Sequence, residues 1–245
     1  MKKRADLLLV ERGLVESRSR AAALILAGLV FSGERRIDKA GELLAEEAPL
    51  RLRGQDHPWV SRGGLKLVHA LDHFAVAPAG RICLDIGAST GGFTDVLLAR
   101  GAAKVYAVDV GRGQLAWKLR QDPRVVVLEG CNARYLSQAQ IPEPPSLIVC
   151  DASFIGLATV LAAPLSLAAD RAELVALIKP QFEVGREGVG KGGIVRDQAL
   201  REMACRNVAD WLARQAGWQV LGIVESPVAG AEGNVEFLIA ARRGA

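Results

Sequence analysis

What this 245-residue sequence lacks narrows its possibilities first. It has four cysteines, Cys83, Cys131, Cys150 and Cys205, and no CxxC pair among them. That spacing argues against a disulfide framework and reads as small core residues in a reducing compartment. Histidine is scarcer still, with three in all; His69 and His73 stand four apart on a predicted helix, but no third ligand follows in a recognisable pattern, so no metal site is expected. Long apolar runs are also missing. The N-terminal one covers only Leu7 to Val10, too short for a secretion signal, and a cytoplasmic protein is expected. The longest uncharged stretch, Ala152 to Ala169, is interrupted by Ser153, Gly156, Thr159, Pro164 and Ser166. It reads as a buried helix rather than a membrane span. Neither sign of charge dominates, since 31 Lys and Arg face 27 Asp and Glu, so a polyanionic partner is allowed but not demanded. No repeat or low-complexity tract occurs.

What is present is a substantial core, half the residues being hydrophobic. The texture predicts a small α+β domain over 1–55, a turn-rich linker over 56–63 (RGQDHPWVSRGG surrounds it) and a large domain over 64–245. In the small domain, RADLLLVERG reads as a helix stopped at Gly13. SRSRAAALILAG reads as a second, opened by Ser17 and closed by Gly28, and short extended pieces follow around Ser32 and Gly33. In the large domain seven strand-like runs, ICLDI, KVYAVDV, VVVL, SLIVCD, ELVALIK, QVLGIV and VEFLIAA, mostly alternate with helical segments. That pattern predicts an α/β, doubly wound, mainly parallel seven-stranded sheet. The last two runs are joined too briefly for a helical crossover and are expected to form an antiparallel hairpin at one edge.

The first strand of that sheet runs into LDIGASTGGF. Glycines between a strand and a helix let a ligand approach the backbone at the sheet's carboxyl edge. The next strand ends at Asp109, 22 positions after Gly87, where a carboxylate can accept hydrogen bonds from both ribose hydroxyls of a nucleoside. A dinucleotide fingerprint needs glycine at position 89, and the chain has Ser89. The spacing suits S-adenosylmethionine, whose sulfonium needs no pyrophosphate cradle. The candidate cofactor residues are Gly87, Ala88, Ser89, Gly91, Gly92, Phe93, Asp109 and Asp151, with Asn132 for the adenine. By spacing alone Asn132 is equally well a turn asparagine.

Four ionisable residues stand at telling places. Asp151 ends the fourth strand of the sheet, Lys179 ends the fifth, Glu236 lies in the last and Lys66 is on the opening helix. Singly, each has an ordinary explanation as a turn cap, a snorkelling lysine or a solvated glutamate. Taken with VSRGGLKL, LDIGASTGGFTD, CDASFIGL, IKPQFEVGREGVGKGG and GNVEFL in that order, they make the chain resemble the TlyA, or haemolysin A-like, family over nearly its whole length. The resemblance implies an RNA-binding domain of the ribosomal-protein S-four type, then an FtsJ-like methyltransferase domain. It implies 2'-O-methylation of cytidine ribose in ribosomal RNA, with S-adenosylmethionine as methyl donor. By motif position it places a catalytic tetrad on Lys66, Asp151, Lys179 and Glu236. Lys179 is expected to act as base or orienting group, its pKa lowered by burial and by Lys66, with the acids holding the lysines.

The loop GREGVGKG looks like a nucleotide-triphosphate P-loop but has Gly192 where serine or threonine is required. A mobile loop offering Arg186 or Lys191 to a phosphate is the better reading. In residues 1–60, eleven basic residues face nine acidic ones. Arg18 and Arg20 sit in a helix's first turn, where a docked phosphate would be attracted by dipole and guanidinium together. Arg4, Arg35, Arg36 and Lys39 extend the candidate RNA-binding set. The expected partner is ribosomal RNA or a ribosomal subunit, and the expected state a monomer. Two rival readings are an RNA-binding assembly factor without catalysis and, because of the family's name, a cytolysin.

Overall fold

The computed structural model describes residues 2–15, 17–52, 57–230 and 233–244; the side chain of Arg186 and the expected domain limits at 55 and 56 lie outside the described residues. The chain divides into two compact units, residues 1–58 with 116–121 and residues 59–115 with 122–245.

In the small unit, β1 (Lys2–Arg4) runs into α1 (Ala5–Glu11) and then α2 (Arg18–Leu26). Ser17 caps α2 by accepting a hydrogen bond from the Arg20 N–H at 3.2 Å. Gly13 and Gly28 stop the two helices at φ values of 66° and 70°, which a side chain would resist. Next come β2 (Val30–Ser32), β3 (Arg35–Arg36), β4 (Leu43–Ala45) and β5 (Leu50–Leu52). They form a three-stranded β3-β2-β5 sheet and a separate β1-β4 ribbon. Leu8, Leu9, Ala21, Ile25, Val30 and Ile37 make the core. The sequence reading missed β1, because a three-residue strand is too short to display alternation.

The large unit opens with α3 (Gly63–His73), which buries Leu67, Ala70 and Leu71. Then follow β6 (Ile82–Ile86), α4 (Gly92–Ala99), β7 (Lys104–Asp109), α5 (Trp117–Arg120), β8 (Val125–Glu129), β9 (Leu147–Cys150), α6 (Leu157–Ser166), β10 (Ala172–Ile178), α7 (Pro180–Glu183), α8 (Gln198–Ala213), β11 (Trp218–Glu225) and β12 (Phe237–Arg243), with α5 grouped with the small unit. The sheet order is β11-β12-β10-β9-β6-β7-β8. β12 runs antiparallel to both its neighbours, β10 and β11, so the expected hairpin is present, with β11 at the edge. β9 is an unbroken apolar run, and β10 is one from Leu174 to Ile178, because helices cover both faces of the sheet. The uncharged stretch from Ala152 contains α6, and among the described residues no helix is long and apolar enough to cross a membrane.

Candidate active site

The carboxyl ends of β6, β9 and β10 bring the chemistry to one place. Pro180 opens α7 and disfavours helical backbone in the residue before it, so Lys179 stays extended at φ −110° and ψ 99°. Its side chain meets Asp151 Oδ1 at 2.7 Å and donates to Ser153 Oγ at 2.8 Å and to the Asp151 carbonyl at 3.3 Å. Glu236 precedes β12 rather than lying in it, one step beyond the last ladder pair of Ile178 with Phe237. That step sets it opposite Lys179 in register. Its carboxylate reaches Lys66 on α3 at 2.5 Å. Lys66 and Lys179 are each 8% exposed and Glu236 is 3% exposed. Each lysine thus has its own carboxylate, and the buried set is formally neutral.

Lys66, Asp151, Ser153 and Lys179 line a cavity of about 340 Å³. Ala88, Gly92 and Phe93 belong to its wall, whereas Glu236 lies behind Gly230, where an added Cβ would strike the carboxylate. Ser61 packs against Gly92 just as tightly, so the VSRGG segment is seated on the glycine turn.

A second cavity, about 620 Å³, lies beside the first and shares Gly87, Ser89, Asp151 and Ser153 with it. Asp109, Asn132 and the apolar Val108 and Ile155 line it, a composition and size usual for a small-molecule site. Asp109 is fixed by two backbone donors, Ser89 N at 2.8 Å and Gly111 N at 2.7 Å. Its remaining lone pairs can accept from ribose. Ser89 stands at φ 47°, so the backbone takes the glycine-like bend at that position without a glycine, held there by Asp109. Gly87 could not be replaced: a Cβ there would stand 2.9 Å from the Ala152 backbone. Gly91 caps α4 at φ 97° and lines neither cavity. Asn132 lines the cavity and also holds a turn, its Oδ1 accepting from Arg134 N at 3.1 Å. These walls fit a nucleoside-bearing cofactor.

Three neighbours escaped the sequence reading. Ser153 holds Lys179. Phe154 is 90% exposed at φ 65°, packs against Phe182 with ring centroids 5.2 Å apart, and lines the larger cavity. Asp85 is fully buried in β6; Thr94 Oγ1 donates to one of its oxygens at 2.6 Å and the other has no partner among the described residues. Burial pushes the Asp85 carboxyl up to about 7, against the Thr94 hydrogen bond and with help from the Asp151 charge.

The loop after α7 forms a short 3-10 turn at 186–188, and the next helix opens only at Gln198. In the small unit, Arg4 and Arg18 both engage buried Asp6 at 3.0 Å, Arg35 pairs with Glu42 at 2.5 Å and Arg36 with Asp38 at 2.7 Å. The Arg4 hydrogen bond leads in holding the Asp6 carboxyl down at about 2, against its burial. Arg20 and Lys39 are exposed. Among the described residues, no group of three or more His, Cys, Asp or Glu could hold a metal ion.

A glycine turn, a strand-end acid and a lysine-lined cavity at the carboxyl edge of this sheet define a Rossmann-like, nucleoside-cofactor transferase. Residues 59–243 match the FtsJ-like methyltransferase family, and the chain belongs to it, in its TlyA branch. It is 52% identical over 237 residues to the 16S/23S rRNA (cytidine-2'-O)-methyltransferase TlyA of Mycobacterium tuberculosis, covering 96% of this chain and 88% of that one. It is 43% identical to the Hemolysin A of Brachyspira hyodysenteriae over 96% of this chain and 98% of that one. A solved structure from Streptococcus thermophilus, described as a proposed hemolysin, superposes with a TM-score of 0.75 at 44% identity over 99% of this chain and 88% of that one.

Proposed function

We propose that this chain transfers a methyl group from S-adenosylmethionine to the 2'-hydroxyl of cytidine in ribosomal RNA. The single observation that carries the reading is the pairing of Lys179, in the wall of the smaller cavity, with Asp151 and Ser153, which line both cavities. S-adenosylmethionine, when bound, supplies a methyl carbon already activated by cationic sulfur. Gly87 and the turn to Gly92 leave room for it, Asp109 accepts from its ribose, and Asn132 stands at the adenine end. A ribose hydroxyl is a weak nucleophile until its proton leaves. Lys179 serves as the base or orienting group for that hydroxyl. Lys66 completes the wall of the smaller cavity, held from behind by Glu236, and alignment of oxygen with the methyl carbon supplies much of the rate.

The target base needs a face to lie on once its sugar enters the cavity. Phe154 offers one, exposed and braced by Phe182. Residues 1–55 act as the S-four-type RNA-binding domain joined through 56–63, contacting phosphates through Arg4, Arg18, Arg20, Arg35, Arg36 and Lys39. Two arginines share the single charge of Asp6, which leaves positive charge on that surface. The protein works as a cytoplasmic monomer on ribosomal RNA or a ribosomal subunit. Transfer of labelled methyl from S-adenosylmethionine to purified ribosomal RNA tests the proposal; absence of transfer to naked RNA and to both isolated subunits would refute it.

A further inference from the structure

The glycine loop that follows Lys179 is tied to the active site at one buried point. Asn234 is 3% exposed. Its Oδ1 accepts from the Val195 N–H at 3.1 Å, and its Nδ2 donates to the Gly193 carbonyl at 2.9 Å. These partners fix the amide's orientation, since only the oxygen can meet an N–H and only the NH₂ can meet a carbonyl. The backbone carbonyl of Asn234 accepts in turn from the Gly230 N–H at 2.9 Å. Gly230 lies so close to the Glu236 carboxylate that a side chain there would collide with it. One side chain therefore joins the loop that exposes Lys191 to the turn that seats Glu236 on Lys66.

The loop is a closed bend anchored at its far end. Gly192 and Gly193 both have positive φ, 78° and 75°, and the Gly190 N–H closes the bend on the Ile194 carbonyl at 3.1 Å. Its far end is pinned at buried Val195, whose carbonyl accepts from Arg201 Nε at 2.7 Å. Asn234 is the tie between that anchor and the catalytic side.

We propose that Asn234 is a positioning residue for methyl transfer: its amide latches the 190–195 loop to the Asn234–Glu236 segment, so the loop's placement sets that of the Lys66–Glu236 pair. The inference rests on the methyltransferase reading and deepens it, because RNA engaged by the loop is thereby coupled to the reacting geometry. An asparagine that only filled space would affect stability, cofactor binding and turnover together.

Two variants of the full-length protein test this. Asn234→Ala removes both hydrogen bonds. Asn234→Asp keeps the volume and the acceptor but sets an oxygen against the Gly193 carbonyl. Hydrogen exchange of the 190–195 segment, S-adenosylmethionine binding by calorimetry, and kcat and KM on ribosomal RNA are measured for each. Loss of a buried hydrogen bond worth about 1.4 kcal/mol should speed exchange of the segment about 10-fold. Cofactor affinity should stay within about 2-fold while kcat falls about 10- to 100-fold, the scale expected of a small misplacement of reacting groups. Unchanged exchange, an unchanged kcat, or a cofactor affinity that falls in step with kcat would each overturn the proposal. Should the alanine variant fail to fold, the near-isosteric aspartate carries the test, and failure of both to fold would mark Asn234 as structural and overturn it too. A wild-type protein that methylates no ribosomal RNA would defeat the functional reading instead, while the exchange data would still report on the latch.

Discussion

Lys66 and Glu236 lie 170 residues apart in sequence and meet at 2.5 Å in the core of the catalytic unit. Neither charge could remain buried alone, so each requires the other. Glu236→Ala should therefore lower folding stability by about 3–5 kcal/mol, as should Lys66→Ala. The double change Lys66→Met with Glu236→Leu should recover most of that loss in urea unfolding while methyl transfer stays abolished. Single variants as stable as the wild type would show that the pair is not desolvated.

Asp109 is held by two backbone N–H groups and faces the larger cavity. Asp109→Ala removes a charged acceptor, worth about 1.5–3 kcal/mol per hydrogen bond. Calorimetry should find S-adenosylmethionine affinity lowered about 10- to 100-fold. An unaltered affinity would remove Asp109 from the cofactor site.

Phe154→Ala should raise the KM for RNA and lower kcat/KM about 10- to 100-fold, since stacking a base on an aromatic ring is worth about 1–3 kcal/mol. Phe154→Tyr keeps the ring face and should stay near wild type. Equal kinetics for alanine and tyrosine would leave Phe154 without a role in holding the base.

The positions of Asp109, Asp151 and Lys179 at strand ends were legible in the sequence from the apolar runs that precede them, whereas Lys66, inside α3, and Glu236 were singled out only by the family resemblance. The glycine turn was legible from its place between a strand and a helix, but the glycine-like bend at Ser89, φ 47°, was not, since serine there signalled only the absence of a dinucleotide fingerprint. Tertiary relationships were not. Nothing near Asn234 in the chain points to Val195, and nothing near Asp85 announces that one of its carboxylate oxygens lacks a partner among the described residues. Phe154 looked like one more apolar residue of an uncharged stretch, since exposure at positive φ is decided by the path of the chain around Asp151. The glycines of the 185–193 loop suggested phosphate binding by their spacing, while their structural use is a bend pinned at Val195.

Asp85 gives stability a pH dependence of definite sign. Its folded pKa, about 7, lies above the ordinary 3.8. Between those values the folded protein holds a proton that the unfolded chain has lost, so this residue's contribution is full below 3.8 and is lost as pH rises toward about 7. Asp85→Asn cannot ionise. Urea midpoints at about pH 5 and about pH 8 should show the variant gaining on the wild type at the higher pH. A constant difference between the two proteins would mean that Asp85 is already ionised in the fold.

The central claim is that Lys179, paired with Asp151, readies a ribose oxygen for attack. It is tested most directly by mass-spectrometric mapping of ribosomal RNA incubated with S-adenosylmethionine and either wild-type protein or Lys179→Ala. The account predicts 2'-O-methylcytidine at a defined position with the wild type and a loss of at least about 100-fold in its rate of formation with the variant, cofactor binding being retained. Methylation on a base, or equal transfer by the two proteins, would contradict it.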